Sequence, residues 1–182
     1  MNGSRGIGLL GLMAGLAALG GCMTADPNLP PLTTVASVDL QRYAGKWYEI
    51  ASYPVSFQEG CTGTTAEYTL RDDGRVTVFN RCLKNSLDGP ANEIRGSARV
   101  PNPDESAKLK VSFFWPFEGD YWVIDLDEAD YSWAVVGVPS RQMLWILSRT
   151  PQLDEAIYND ILSRLPGQGY DVSKLRRTEQ PQ

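Results

Sequence analysis

The chain has 182 residues, with 17 Lys+Arg against 22 Asp+Glu, a formal charge of −5 and no histidine at all. A hydrophobic content of 42% with 21% charged residues is that of one ordinary folded domain. The acidic balance without a Lys/Arg block argues against nucleic acid as a partner, and zero histidine removes His-dependent triads, HExxH zinc sites and the commonest general base near neutral pH.

Arg5 is the only charged residue before Asp26. Residues 7–19 are a run of Ile, Leu, Met, Ala and Gly, which matches the apolar region of a secretory signal and is too short for a transmembrane helix. The run ends in Leu19-Gly20-Gly21-Cys22, small residues directly before a cysteine. That tetrad resembles a bacterial lipobox, which implies cleavage before Cys22 and acylation of its thiol and new amine. Two or more acyl chains make a stable anchor where one gives marginal binding. Residues 1–21 are therefore expected to be a lipoprotein signal, 22–38 a lipidated start and Pro-containing linker, and 39–182 the folded domain.

From residue 39 onward, short alternating runs are separated by turn residues. The runs are 46–52, 64–70, 75–82, 93–100, 108–114, 121–126, 132–138 and 142–148, punctuated by Asp72-Asp73-Gly74, Asp88-Gly89-Pro90, Glu118-Gly119-Asp120 and Pro139-Ser140. Eight strands with hairpin-length connections predict an all-β sandwich or an up-and-down barrel. Cys61 and Cys82 flank the 72–74 turn, so folding that hairpin brings them together, and an exported protein meets an oxidising compartment. A disulfide is expected between them. Cys61 has the opposite parity to Tyr68, so it must lie in the preceding loop or before a bulge.

At Thr150-Pro151 the period changes. Thr150 is expected to cap a helix that starts at Pro151, with Asp154 and Glu155 near its positive end. Leu153, Ile157, Ile161 and Leu165 recur at helical spacing and are expected to face the sheet. Pro166-Gly167 stops the helix, and residues 170–175 read as a short last strand.

Gly45-Lys46-Trp47-Tyr48-Glu49-Ile50 on the first strand, together with Ile146-Leu147-Ser148-Arg149-Thr150-Pro151 before the helix, resembles the lipocalins. Within them it is similar to the bacterial outer-membrane lipocalins and the apolipoprotein D group. Tyr68-Thr69-Leu70-Arg71-Asp72-Asp73-Gly74, Lys110-Val111-Ser112-Phe113-Phe114 and Asp171-Val172-Ser173-Lys174 extend the likeness over about residues 39–180. The resemblance implies an eight-stranded antiparallel barrel with one C-terminal helix packed outside. It places Trp47 and Gly45 at a plugged end, with Arg149 stacked over the indole; all three are structural.

An eight-stranded barrel encloses room for one small ligand. With one end plugged, chain order puts connections 53–63, 83–92, 115–120 and 139–141 at the mouth. By alternation and by the resemblance, Tyr68, Asn80 and Trp145 point into the cavity. Phe57, Trp115, Pro116 and Phe117 lie in the mouth loops, to meet lipid, ligand tail or partner, or to fold back as a lid. Trp115 and Phe117 join the candidate ligand contacts. Lys84 and Arg141 are mouth cations that could meet an anionic headgroup. The expected function is a membrane-anchored carrier of a fatty acid or lysophospholipid, monomeric or homodimeric. It needs no metal, no cofactor and no catalytic residue, and stands at the outer membrane facing the periplasm. A carrier of another apolar ligand and an envelope scaffold are the competing readings.

Overall fold

The computed structural model describes residues 29–182. The expected signal segment and Cys22 lie outside the described residues. Asp39 opens the folded domain by capping a one-turn helix, α1 (Leu40–Tyr43), its carboxylate accepting from the backbone of Gln41 and Arg42. Eight strands follow: β1 (Gly45–Ser52), β2 (Cys61–Leu70), β3 (Val76–Lys84), β4 (Ala91–Arg99), β5 (Lys108–Phe114), β6 (Phe117–Leu126), β7 (Trp133–Gly137) and β8 (Leu144–Ser148). Each pairs antiparallel with its sequence neighbour, and β8 returns to β1, so the sheet closes into a barrel. Closure leaves few free edges, which is how an all-β chain of this size avoids edge-to-edge association.

The alternation sorts side chains onto two faces. Inside lies one cluster built on Trp47, Tyr68, Val76, Val78, Ala98, Leu109, Val123 and Val136. Outside, Ile50, Ile124, Val135, Leu144 and Ile146 form a second cluster, and α2 (Glu155–Arg164) covers it with Tyr158 and Ile161. The parity conflict at Cys61 is resolved by a bulge: pairing slips between Thr62 and Thr65 opposite β3, and Cys61 is bonded to Cys82 before it.

Four expectations are corrected. The helix begins at Glu155, not Pro151, because the Asp154 carboxylate accepts from both Ala156 and Ile157 and outcompetes the Thr150 hydroxyl, which donates to the Gln152 carbonyl. Its buried face keeps Ile161 and Leu165 as expected, but Tyr158 is buried in place of Ile157, which is exposed. Residues 170–175 form no strand. A 3₁₀ turn occupies Val172–Lys174, and the last strand, β9 (Arg176–Arg177), adds to β1. Finally, part of the segment read as linker before residue 39 packs on the barrel, because Leu32 and Val38 are buried and the Val35 amide donates to the Val123 carbonyl.

Candidate ligand-binding site

Trp47 closes one end of the barrel. Its ring is fully buried and its Nε1 donates to the Tyr43 carbonyl at 2.8 Å. The Arg149 guanidinium stands 3.8 Å from the indole centre, and its nitrogens donate to the carbonyls of Tyr131, Lys46 and Arg42. A partly desolvated stack of this kind contributes about 2 kcal/mol. Gly45 is required beside it: its φ is +93°, and a Cβ there would come within 3.4 Å of Arg149 Nη1.

Above the plug lies a floor of three tyrosines. Tyr43 and Tyr68 each hydrogen-bond the Tyr121 hydroxyl, at 2.8 and 2.9 Å. Burial pushes the Tyr68 phenol up to about 12 and holds Tyr43 and Tyr121 well above the usual phenol value. These hydroxyls therefore stay neutral and pair only with one another. The void at this level, lined by Tyr43, Tyr68, Val76, Leu109 and Tyr121, is about 10 Å³. That is one water at most, so the lower barrel is filled.

The inner wall changes character towards the other end. Asn80 lies opposite Ile94 on the face that carries Val76 and Val78, and both are partly open to solvent. Phe113 and Trp145 line the same interior and are partly buried. The Asn80 Oδ1 and Thr64 Oγ1 atoms are buried with no hydrogen-bond partner in the protein. Trp145 Nε1 donates to Gln58 Oε1 at 3.0 Å, and Gln58 Nε2 donates to Glu49 Oε2 at 2.7 Å. Glu49 is buried and also accepts from Ser52 and Thr178. β1 and β2 pair only from Gly45 to Tyr48, and above that the C-terminal segment fills the split: Gln180 donates to the Glu49 and Thr64 carbonyls, and Gly63 donates to Glu179. A cavity of about 530 Å³ opens at this split, lined among others by Glu49, Ser52, Gln58, Cys61 and Arg176. Its size falls within the range of small-molecule sites.

The candidate residues thus occupy different heights. Tyr68 belongs to the floor, Asn80 and Trp145 to the open upper wall, and Trp145 meets the larger cavity only through Gln58. The aromatic tip does not fold back as a lid, because Phe114, Trp115 and Phe117 are exposed, as is Phe57. The turn is also tighter than expected, with Glu118 to Asp120 already in β6. The two mouth cations are engaged by backbone. Arg141 is buried and donates to the carbonyls of Pro30, Pro139 and Gln168, and Lys84 donates to the Glu59 carbonyl. Arg141 is thereby withdrawn from any headgroup, whereas the Lys84 ammonium spends only one of its three donors. Sequence reasoning missed Glu49 and the Tyr43–Tyr121 pair. Glu49 was legible from its shared parity with Trp47, whereas the tyrosine chain depends on α1 crossing beneath the barrel.

Floor, plug and open upper wall together define a lipocalin. A lipocalin-like domain family matches residues 38–180, and the chain belongs to that family. It is 40% identical over 175 residues to outer membrane lipoprotein Blc of Escherichia coli (strain K12), covering 95% of this chain and 98% of that one. It is 42% identical over 158 residues to temperature-induced lipocalin-1 of Arabidopsis thaliana, 82% and 83% of the two chains. Apolipoprotein D of Bos taurus is 35% identical over 180 residues, 95% and 90%. The solved structure of insecticyanin from Manduca sexta superposes with a TM-score of 0.67 at 23% identity over 85% and 87% of the two chains, a likeness of fold.

Proposed function

We propose that the protein is a membrane-anchored carrier that takes one acyl chain, from a fatty acid or a lysophospholipid, into the upper half of its barrel. The observation that carries this reading is the gradient along the inner wall. The floor is sealed by Trp47 and three neutral tyrosines, while Asn80, Ile94, Phe113 and Trp145 stay partly open above them. A mostly apolar wall with few polar groups suits an elongated amphiphile. Burying an unpaired charge is costly, so an anionic head remains in the wet mouth while the tail descends.

The anchor in this reading is acylated Cys22, and the location is the periplasmic face of an outer membrane. The lipobox-like Leu19-Gly20-Gly21-Cys22 and the likeness to bacterial outer membrane lipoproteins support both. Among the described residues no helix is long and apolar enough to cross a membrane. The protein works by binding, without turnover, as a monomer or homodimer. Lipid extraction and mass spectrometry of purified protein test the reading. A co-purifying acyl lipid near one per barrel, with saturable quenching of Trp145 fluorescence on adding it back, is expected. Empty protein with no saturable signal would favour a scaffold.

A further inference from the structure

Among the described residues, the large apolar side chains more than half exposed are Phe57 (65%), Phe114 (70%), Trp115 (91%) and Phe117 (77%). All four belong to two mouth connections, the 3₁₀ turn at Ser56–Gln58 and the β5–β6 turn. Aromatic rings bring about 150–250 Å² each, so Phe114, Trp115 and Phe117 on one turn exceed what isolated surface residues leave in water. The neighbouring charges are paired: Arg99 with Glu118, and Lys110 with Asp120. The patch is therefore aromatic rather than cationic, and its attraction to a surface is of the interfacial Trp and Phe kind.

A second observation says which surface. The chain enters the described domain at the mouth end, where Arg141 in the β7–β8 connection donates to the Pro30 carbonyl. It then runs towards the plug: Thr33 donates to Gln168, Val35 to the middle of β6 at Val123, and Val38 to Ser106 near the foot of β5. Cys22 stands seven positions before Leu29. Seven residues reach about 25 Å at full extension. β2 alone, with 10 residues, is roughly 34 Å long. A tether this short, entering at the mouth, does not reach past the barrel far enough for the plugged end to face the membrane that holds Cys22.

We propose that the mouth rim formed by Phe57, Phe114, Trp115 and Phe117 docks into the headgroup layer of the membrane that carries the Cys22 anchor, so that the ligand passes between bilayer and barrel without crossing water. This rests on the tethered-carrier reading above, and its occupant is a lipid surface. Docking is driven by aromatic burial, so it is insensitive to salt.

The test uses the full acylated protein in phosphatidylcholine vesicles whose lipids carry bromine on the acyl chain near the headgroup. Tryptophan quenching by bromine requires contact. The wild type is compared with Trp115→Phe, a change at a 91% exposed position that leaves the fold intact. The expected result is a quenched component present in wild type, reduced by at least half in Trp115→Phe, and unchanged when salt rises tenfold. Equal quenching in the two proteins overturns the proposal. So does a dimer whose contact shields Trp115 from bromine, which would make a second copy the occupant. Ligand uptake, read separately by titration in vesicle-free buffer, keeps the two readings apart. Uptake without Trp115 quenching removes the docking and keeps the carrier; Trp115 quenching without uptake does the reverse.

Discussion

At the plugged end of the barrel, Trp47 is fully buried, every nitrogen of Arg149 donates to a carbonyl, and three tyrosine hydroxyls satisfy one another. At the mouth, aromatic rings stand in water and inward-facing oxygens of Asn80 and Thr64 lack protein partners. The same alternating strands build both ends. The difference teaches that packing quality, not strand pattern, separates the two ends: side chains are satisfied at the plug, and the upper half, where the proposed site lies, is left incomplete.

Substitutions that break this contrast should do so unequally. The largest loss is expected for Trp47→Ala, about 3–5 kcal/mol for a fully buried aromatic, read as a drop in the denaturant midpoint. The disulfide between Cys61 and Cys82 closes a loop of 21 residues' separation, so the double Ser variant should lose about 3 kcal/mol on chain-entropy grounds. Ligand affinity of the refolded variant, measured at low denaturant, should change little.

Alkaline pH should attack the floor selectively. Unfolded tyrosines lose their protons near pH 10, whereas folded Tyr68 holds its proton to about 12 and Tyr43 and Tyr121 are shifted the same way. Above pH 10 the unfolded state therefore binds fewer protons than the folded one, and stability falls as pH rises through that window. Below pH 10 both states are protonated and these groups contribute no slope. Chemical denaturation at pH 8 and pH 11 checks this, and Tyr121→Phe should flatten the difference. The smallest stability effect belongs to the mouth. Trp145→Ala is expected to weaken ligand binding about tenfold, near 1.4 kcal/mol, with a smaller change in midpoint than Trp47→Ala, as titration and melting on the same preparation will show.

The succession of strands was legible from period-2 alternation, which left a sandwich or a barrel open; closure and the plug came with the likeness carried by the motifs around Trp47 and Arg149. The disulfide was legible from the hairpin between the two cysteines, and the parity of Cys61 demanded a loop or a bulge, of which the structure has the bulge. What escaped depends on competition or on distant contacts. Asp154 displaced Thr150 as the helix cap because a carboxylate accepting two amides beats a hydroxyl at the positive helix end. Tyr158 rather than Ile157 is buried because it shares the face of Ile161 and Leu165 at i, i+3 and i+7, which leaves Ile157 at its edge. Arg141 looks like a free mouth cation in sequence, yet it is consumed by the carbonyls of Pro30, Pro139 and Gln168, two of them more than 25 positions away. Of the upper wall, the inward parity of Asn80 and Trp145 was readable, whereas Ile94 and Phe113 were not singled out. The height of the floor was not readable, since it needs the crossing of α1 beneath the barrel.

The central claim is that a sealed tyrosine floor and an open apolar wall measure an acyl chain. It is tested most directly by titrating the protein with saturated fatty acids of increasing length while following tryptophan fluorescence. Each methylene that enters the wall contributes about 0.8 kcal/mol before ordering costs. The account predicts that affinity climbs with each added methylene and then levels off once the chain meets the Tyr68–Tyr121 floor. An affinity independent of chain length, or no saturable signal at any length, would contradict it.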